Sequence, residues 1–97
     1  MQKKTNTLEI KQFIRKNSSL FWSVPEDKKE EISLDLLVET ILNYGDMDTI
    51  KELFALIGME KVADVLDHAE GRKRLNYFPE IYHYFTLVVN KYVPGRT

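Results

Sequence analysis

Residues 33–58 read SLDLLVETILNYGDMDTIKELFALIG, two apolar segments that each end at a glycine. Apolar side chains in both segments recur at the i, i+3, i+4 spacing of one helix face. The pattern predicts helices over 33–44 and 47–57. Ser33 and Asp46 are the expected N-caps, and Gly45 and Gly58 are expected to close the helices in the left-handed conformation.

The same periodicity extends in both directions from this pair of helices. Downstream it predicts a short helix over 60–69, closed by Gly71, and a longer one over 77–92 that Asn76 caps. The last helix carries apolar side chains on most of its faces. Such a helix is typically either central to the fold or packed against a second copy of the chain in a homodimer. Upstream, a narrower stripe predicts a helix over 8–16.

Residues 20–24 form a dense apolar knot that is too short for a helical stripe. We expect these residues to form a loop, with at most a short extended piece, whose apolar side chains pack into the helical bundle. We expect residues 26–31 to form a charged turn that is exposed to solvent. The fold class that follows is all-α, a compact bundle of four to five short helices with a longer C-terminal helix. One domain spans 1–97, with an N-terminal helix or arm (1–18), an aromatic-containing loop (19–32), a helical core (33–92) and a tail (93–97).

Composition narrows the class of protein. The 97 residues are 43% hydrophobic and 30% charged, as in an ordinary globular chain. The chain contains no cysteine, which excludes disulfides, thiolate metal ligands and a cysteine nucleophile. No apolar run approaches the roughly 20 residues of a membrane span. These features predict a cytoplasmic protein.

Charge is unevenly distributed along the chain. Residues 1–31 carry a net charge of +2, residues 32–70 of −7 and residues 71–97 of +4. Either the basic ends fold back and neutralise the acidic middle, or the middle is a surface that docks a basic partner.

Motifs for catalysis or cofactor binding are lacking. His68 and His83 have no metal-ligand spacing. The carboxylates of Asp46 and Asp48 begin a helix, where capping accounts for them better than a metal site does. The sequence contains no phosphate-binding loop, dinucleotide fingerprint or nucleophile elbow. We therefore expect no enzyme activity, no catalytic residue, no metal and no cofactor.

Three short motifs resemble a family of small bacterial and archaeal proteins of unassigned function. They are Leu-Phe-Trp at 20–22, the Leu-x-x-Gly-Asp helix junction (42–46) at the end of the segment 38–46, and the Leu-Asn-Tyr-Phe entry to the last helix (75–78) in the segment 74–78. The helix at 50–56 belongs to the same resemblance. The resemblance covers about residues 19–90. It implies an antitoxin encoded beside a nucleotidyltransferase-type toxin of the abortive-infection class. The family usually carries Asp or Glu after the tryptophan, where this chain has Ser23.

Two function hypotheses follow. The first is a protein-binding, antitoxin-like module that docks a basic toxin cleft through acidic helices and aromatic anchors, although Phe21 and Trp22 are candidates for the core as well. Its candidate contact residues are Phe21, Trp22, Asp35, Glu39, Asp46, Asp48, Glu52, Tyr77 and Tyr84. The alternative is a nucleic-acid-binding regulator. Its candidate residues are Lys11, Arg15, Lys16, Arg72, Lys73 and Arg74.

Overall fold

Five α-helices and two 3₁₀-helices occupy the part of the chain that the computed structural model describes, residues 6–69 and 76–93. The α-helices are α1 (Leu8–Lys16), α2 (Leu34–Tyr44), α3 (Met47–Ile57), α4 (Met59–Asp67) and α5 (Pro79–Tyr92). The 3₁₀-helices span Ser18–Phe21 and Glu26–Glu31. These residues contain no β-strand, which confirms the all-α class.

Local capping explains where α2 and α3 begin. The Ser33 hydroxyl accepts a hydrogen bond from the Leu36 amide at 3.1 Å. The Asp46 carboxylate accepts one from the Thr49 amide at 2.8 Å. Both bonds satisfy amides that a helix start leaves without an intrahelical partner. The predicted N-caps are therefore confirmed.

The two described glycines serve their junctions in different ways. Gly58 has φ +89° and ψ 148°, a backbone region that glycine alone enters readily, and it ends α3 and begins α4. Gly45 has φ −78°, so the prediction of a left-handed closing residue is wrong there. A Cβ at Gly45 would lie 2.8 Å from the Ile41 carbonyl oxygen, so close packing of the backbone requires glycine. Gly71 lies outside the described residues.

The segment between α1 and α2 is more regular than the sequence predicts. The knot at 20–24 is neither extended nor a plain loop, because Phe21 ends a 3₁₀-helix and is buried. The predicted charged turn at 26–31 is a second 3₁₀-helix that buries the stem of Lys29. The Lys29 ammonium donates to the Ser18 carbonyl at 3.0 Å and pairs with Glu26 at 3.1 Å. The bond to Ser18 links the two 3₁₀-helices, and the pair with Glu26 lies within the second.

The centre of the core is α2. It contacts α3, α4 and the first 3₁₀-helix, and four of its apolar side chains are almost completely buried. They are Leu37, Val38, Ile41 and Leu42. The last helix, α5, packs mainly on α4 and buries Phe85 and Val89, while Tyr84, Leu87 and Tyr92 are exposed. The alternative that placed the last helix at the centre is therefore wrong. No helix in the described ranges is long and apolar enough to cross a membrane.

Candidate functional site

Three exposed aromatic side chains form one continuous surface feature, which we call the aromatic row. It consists of Trp22, Tyr44 and Phe78, which are 71%, 47% and 45% exposed. The ring centroids of Trp22 and Tyr44 lie 6.5 Å apart, and those of Tyr44 and Phe78 lie 5.5 Å apart. Both pairs meet edge to face, the arrangement that aromatic quadrupoles favour. Residues far apart in the sequence thus share one surface.

Rigid structure beneath the row holds each ring in place. Trp22 follows directly after Phe21, whose ring is 1% exposed and is part of the core. Tyr44 is the last residue of α2, and the next amide, that of Gly45, donates to the Ile41 carbonyl at 2.8 Å. Because the backbone on which both side chains stand is held by the core, ordering this surface on binding costs little entropy.

The Asn43 side chain holds the backbone that carries Phe78, the third ring, against the end of α2. Its side-chain amide donates to the Asn76 carbonyl at 2.9 Å, and its side-chain oxygen accepts from the Phe78 amide at 3.1 Å. The prediction that Asn76 caps the last helix is therefore wrong. The residue before α5 is Phe78, whose side chain makes no capping hydrogen bond. A side chain from α2 binds the amide of that residue instead.

Asn43→Ala should lower the free energy of unfolding by about 1–3 kcal/mol, since it removes two hydrogen bonds of roughly 0.5–1.5 kcal/mol each. Asn43→Asp keeps the acceptor for the Phe78 amide and loses only the donor, so its effect should be smaller. Urea denaturation followed by circular dichroism measures both. Equal losses for the two variants would contradict the assigned role of the acceptor oxygen.

The junction of α2 and α3 places carboxylates beside the aromatic row. Asp46, Met47 and Asp48 are all exposed, and Met47 is 49% exposed. The hydrogen bond from the Thr49 amide holds the pKa of Asp46 below its usual range. The carboxyl of Asp46 is therefore ionised at neutral pH. Of the predicted acidic residues, Asp46 and Asp48 lie on open surface next to an exposed ring.

Asp35 and Glu39 lie in a different environment. Both are half-buried on α2, and Glu39 accepts a hydrogen bond from the Asn76 side chain. Burial raises the pKa of the Glu39 carboxyl. The nearby Tyr77 hydroxyl is buried and finds no hydrogen-bond partner among the described residues, and burial together with the charge of Glu39 raises its pKa as well. These two acids therefore face the segment before α5, and they do not form an open docking surface with Asp46 and Asp48.

Glu39→Gln should raise stability at neutral pH by less than about 1 kcal/mol, because the half-buried charge remains partly screened by water. A carboxyl whose pKa is raised on folding binds its proton more tightly in the folded state. Its penalty is present above the folded pKa and fades as pH falls towards the unfolded value. The two proteins should therefore converge in stability in acid. A gap that widens on acidification would contradict this sign.

The other predicted contact residues are either buried, paired with a cation or exposed on α5. Phe21 and Tyr77 are 1% and 5% exposed, so neither can act as an accessible anchor. Their rings fill the space between helices that a small core must use completely. The carboxylate of Glu52 pairs with Lys16 at 2.6 Å. Tyr84 is exposed on α5, where its ring packs against that of Phe85 at 4.9 Å.

The basic residues of the alternative hypothesis fall into three groups. Arg15 pairs with Glu30 at 2.7 Å and with Glu26, and its pKa is raised chiefly by the hydrogen bond to Glu30. Lys16 is held by Glu52, so the end of α1 neutralises its acidic neighbours. Lys11 lines a groove of about 750 Å³ between α1 and the start of α2. Arg72, Lys73 and Arg74 lie outside the described residues.

Histidines and carboxylates do not assemble a metal site in the described ranges, where no group of three or more potential ligands is arranged to hold an ion. His68 and His83 lie on the surface, and the Nδ1 atom of His68 is 2.7 Å from the Asp64 carbonyl oxygen.

Comparisons of the chain with protein-family models, with curated proteins and with solved structures found no match.

Tyr44, Phe78 and Asn43 belong to the site but were not among the predicted contact residues. Each lies at or next to a helix end, where helical periodicity does not say which way a side chain faces. One available signal was their position inside the three motifs that carry the family resemblance. The motifs at 20–22, 42–46 and 75–78 contribute Trp22, Tyr44 and Phe78 to the aromatic row.

Proposed function

We propose that this protein is a non-catalytic protein-binding module whose contact surface is the aromatic row together with the acidic junction of α2 and α3. The observation that carries the proposal is the exposure of Trp22, 71%, at the end of a short helix whose preceding residue is buried. Leaving a large ring in water forgoes about 1.5–3 kcal/mol of burial. A binding partner that covers the ring recovers this free energy.

Exposed aromatic side chains are frequent among the residues that dominate binding energy at protein interfaces. Three such rings in contact, with Met47 exposed close by in the sequence, make a patch with an apolar centre. The carboxylates of Asp46 and Asp48 would then form part of a polar rim. An apolar centre with a polar rim is the usual anatomy of a specific interface.

The partner we propose is a nucleotidyltransferase-type toxin, which this protein would neutralise as an antitoxin in the bacterial cytoplasm. The resemblance of the three motifs supports this choice, and so does charge. A toxin that handles nucleotides or RNA needs a basic cleft, and the acidic junction is complementary to it. Each of the three motifs contributes one ring to the aromatic row, so the residues that carry the family resemblance are also residues of the proposed contact surface.

The test is co-expression with the nucleotidyltransferase-type toxin encoded beside the gene. The wild-type chain should relieve growth arrest and form a complex of measurable Kd. Trp22→Ala should weaken the complex at least about 30-fold, the effect of losing roughly 2 kcal/mol at a hot-spot residue.

Tyr84→Ala is the matched control, because it also removes an exposed aromatic ring, but from the outer face of α5. It should bind the toxin as the wild type does. Full neutralisation by Trp22→Ala together with loss in Tyr84→Ala would move the interface to α5 and reject the proposal. Failure of the wild-type chain to bind such a toxin would reject the antitoxin role.

A further inference from the structure

We infer that the aromatic row and its flanking carboxylates form a receptor for an arginine side chain that the partner protein presents. This inference rests on the proposed function and specifies the chemistry of the same surface. It concerns three rings, Trp22, Tyr44 and Phe78, and two carboxylates, Asp46 and Glu80. All five residues are exposed.

The spacing of the rings suits a flat cation. Neighbouring ring centroids are 6.5 Å and 5.5 Å apart, and neighbouring planes are inclined by 70° and 81°. A cation within about 6 Å of a ring centroid is attracted by the negative face of the ring. The inclined planes offer a face of one ring beside an edge of the next. Because the edge of one ring covers part of the face of its neighbour, a guanidinium stacks on a ring face that the pair leaves exposed to solvent.

Charge within three positions of the rings is negative, and the nearest cation along the chain is Arg74, four positions before Phe78. No Lys or Arg lies within three positions along the chain of any of the three rings. Asp46 lies two positions after Tyr44, and Glu80 lies two positions after Phe78. Two residues span at most about 7 Å, which is within the Debye length of roughly 8 Å at physiological ionic strength. Both carboxylates are therefore attached to the chain close enough to a ring to contribute negative potential at the row.

Arginine fits this surface better than the other groups that bind aromatics. Its guanidinium is planar, weakly hydrated and always charged, so it stacks on a ring while it donates to carboxylates. The ammonium of lysine is more strongly hydrated and does not stack. Nucleic acid bases also stack on exposed rings, but their phosphates would be repelled by Asp46 and Glu80.

Trp22 reports on the site directly, because it is the only tryptophan in the chain. The experiment titrates the full-length protein with a blocked peptide that carries two arginines and follows tryptophan fluorescence. The same peptide with citrulline in place of arginine is the neutral control. Arginine should give a saturable change, and citrulline should bind at least about 10-fold more weakly. Equal responses, or no response to arginine, would overturn the inference.

Charge variants distinguish the effect on arginine binding of carboxylates near the aromatic row from that of carboxylates on α4. Asp46→Asn combined with Glu80→Gln removes two charges beside the row, and Asn caps a helix about as well as Asp, so α3 stays capped. Glu60→Gln combined with Asp64→Asn removes two charges from α4. The first pair should weaken arginine binding about 5-fold or more, and the second should leave it unchanged. Equal weakening by both pairs would show that net charge alone is responsible.

A single-stranded RNA oligonucleotide is the remaining probe. Saturable quenching of Trp22 by RNA, tighter than that by the arginine peptide, would replace a protein ligand with a nucleic acid and overturn the inference. Toxin binding that depends on Trp22 but is not competed by the arginine peptide would overturn the inference and leave the proposed function standing. Arginine binding without any toxin complex would reject the toxin as the partner and retain the receptor.

Discussion

Phe21→Ala lowers the free energy of unfolding by about 3–5 kcal/mol, the usual cost of deleting a buried aromatic ring. Phe21 is 1% exposed and is the largest of the completely buried side chains in the described residues. A domain of this size has roughly 5–10 kcal/mol of stability in total, so the variant loses a large part of it. Guanidinium denaturation followed by circular dichroism measures the change.

Trp22→Ala provides the matched control at the adjacent position. Its ring is 71% exposed and contacts chiefly Tyr44, so its removal should cost less than about 1 kcal/mol. If Phe21→Ala does not fold, Phe21→Leu provides a smaller cavity with a measurable transition. A loss from Trp22→Ala that equals that of the Phe21 variants would show that the tryptophan is structural, and it would undermine the proposed contact surface as well.

Gly58→Ala should lower the free energy of unfolding by about 1–3 kcal/mol, the cost of holding an L-residue in a backbone region that glycine alone enters readily. Gly58 has φ +89°, and among the described residues a Cβ there would meet no atom within 4 Å apart from those of its two chain neighbours. Steric contact therefore contributes nothing, and the whole effect is backbone strain. Thermal and denaturant unfolding both detect a change of this size.

D-alanine at position 58 is the decisive control for this interpretation. The mirror-image residue tolerates positive φ, so the semisynthetic D-alanine protein should lose less stability than the L-alanine variant. Gly45→Ala tests the other mechanism, since its Cβ would lie 2.8 Å from a backbone oxygen. Equal destabilisation by L- and D-alanine at position 58 would contradict the strain argument.

Sequence periodicity located every described α-helix to within two residues at its ends. The bounds of α1 and α3 agree with the predicted ranges, and α5 begins two residues later than predicted. Capping chemistry at Ser33 and Asp46 acts between residues close in the sequence, so it was visible there. Only the 3₁₀-helices were missed, because their length is too short to show a period.

Contacts between distant segments were not predictable in the same way. Phe21 and Trp22 are adjacent aromatic residues in one motif, yet one is 1% exposed and the other 71%. The sequence indicated Asn76 as the cap of the last helix, but the packing of α2 against the segment before α5 makes the Asn43 side chain the acceptor for the Phe78 amide. The acidic helices looked like one surface, but burial places Glu39 apart from Asp46.

Local information in the chain was thus sufficient for the all-α class, the bounds of the described α-helices and the N-caps of α2 and α3, because these depend on interactions within about four residues. The aromatic row depends on three segments that are 22 and 34 residues apart, and they meet only because α2 packs against both of the others. Which ring of each motif is buried is set by the volume left between packed helices. That volume is a property of the whole core, and no single segment of the sequence specifies it.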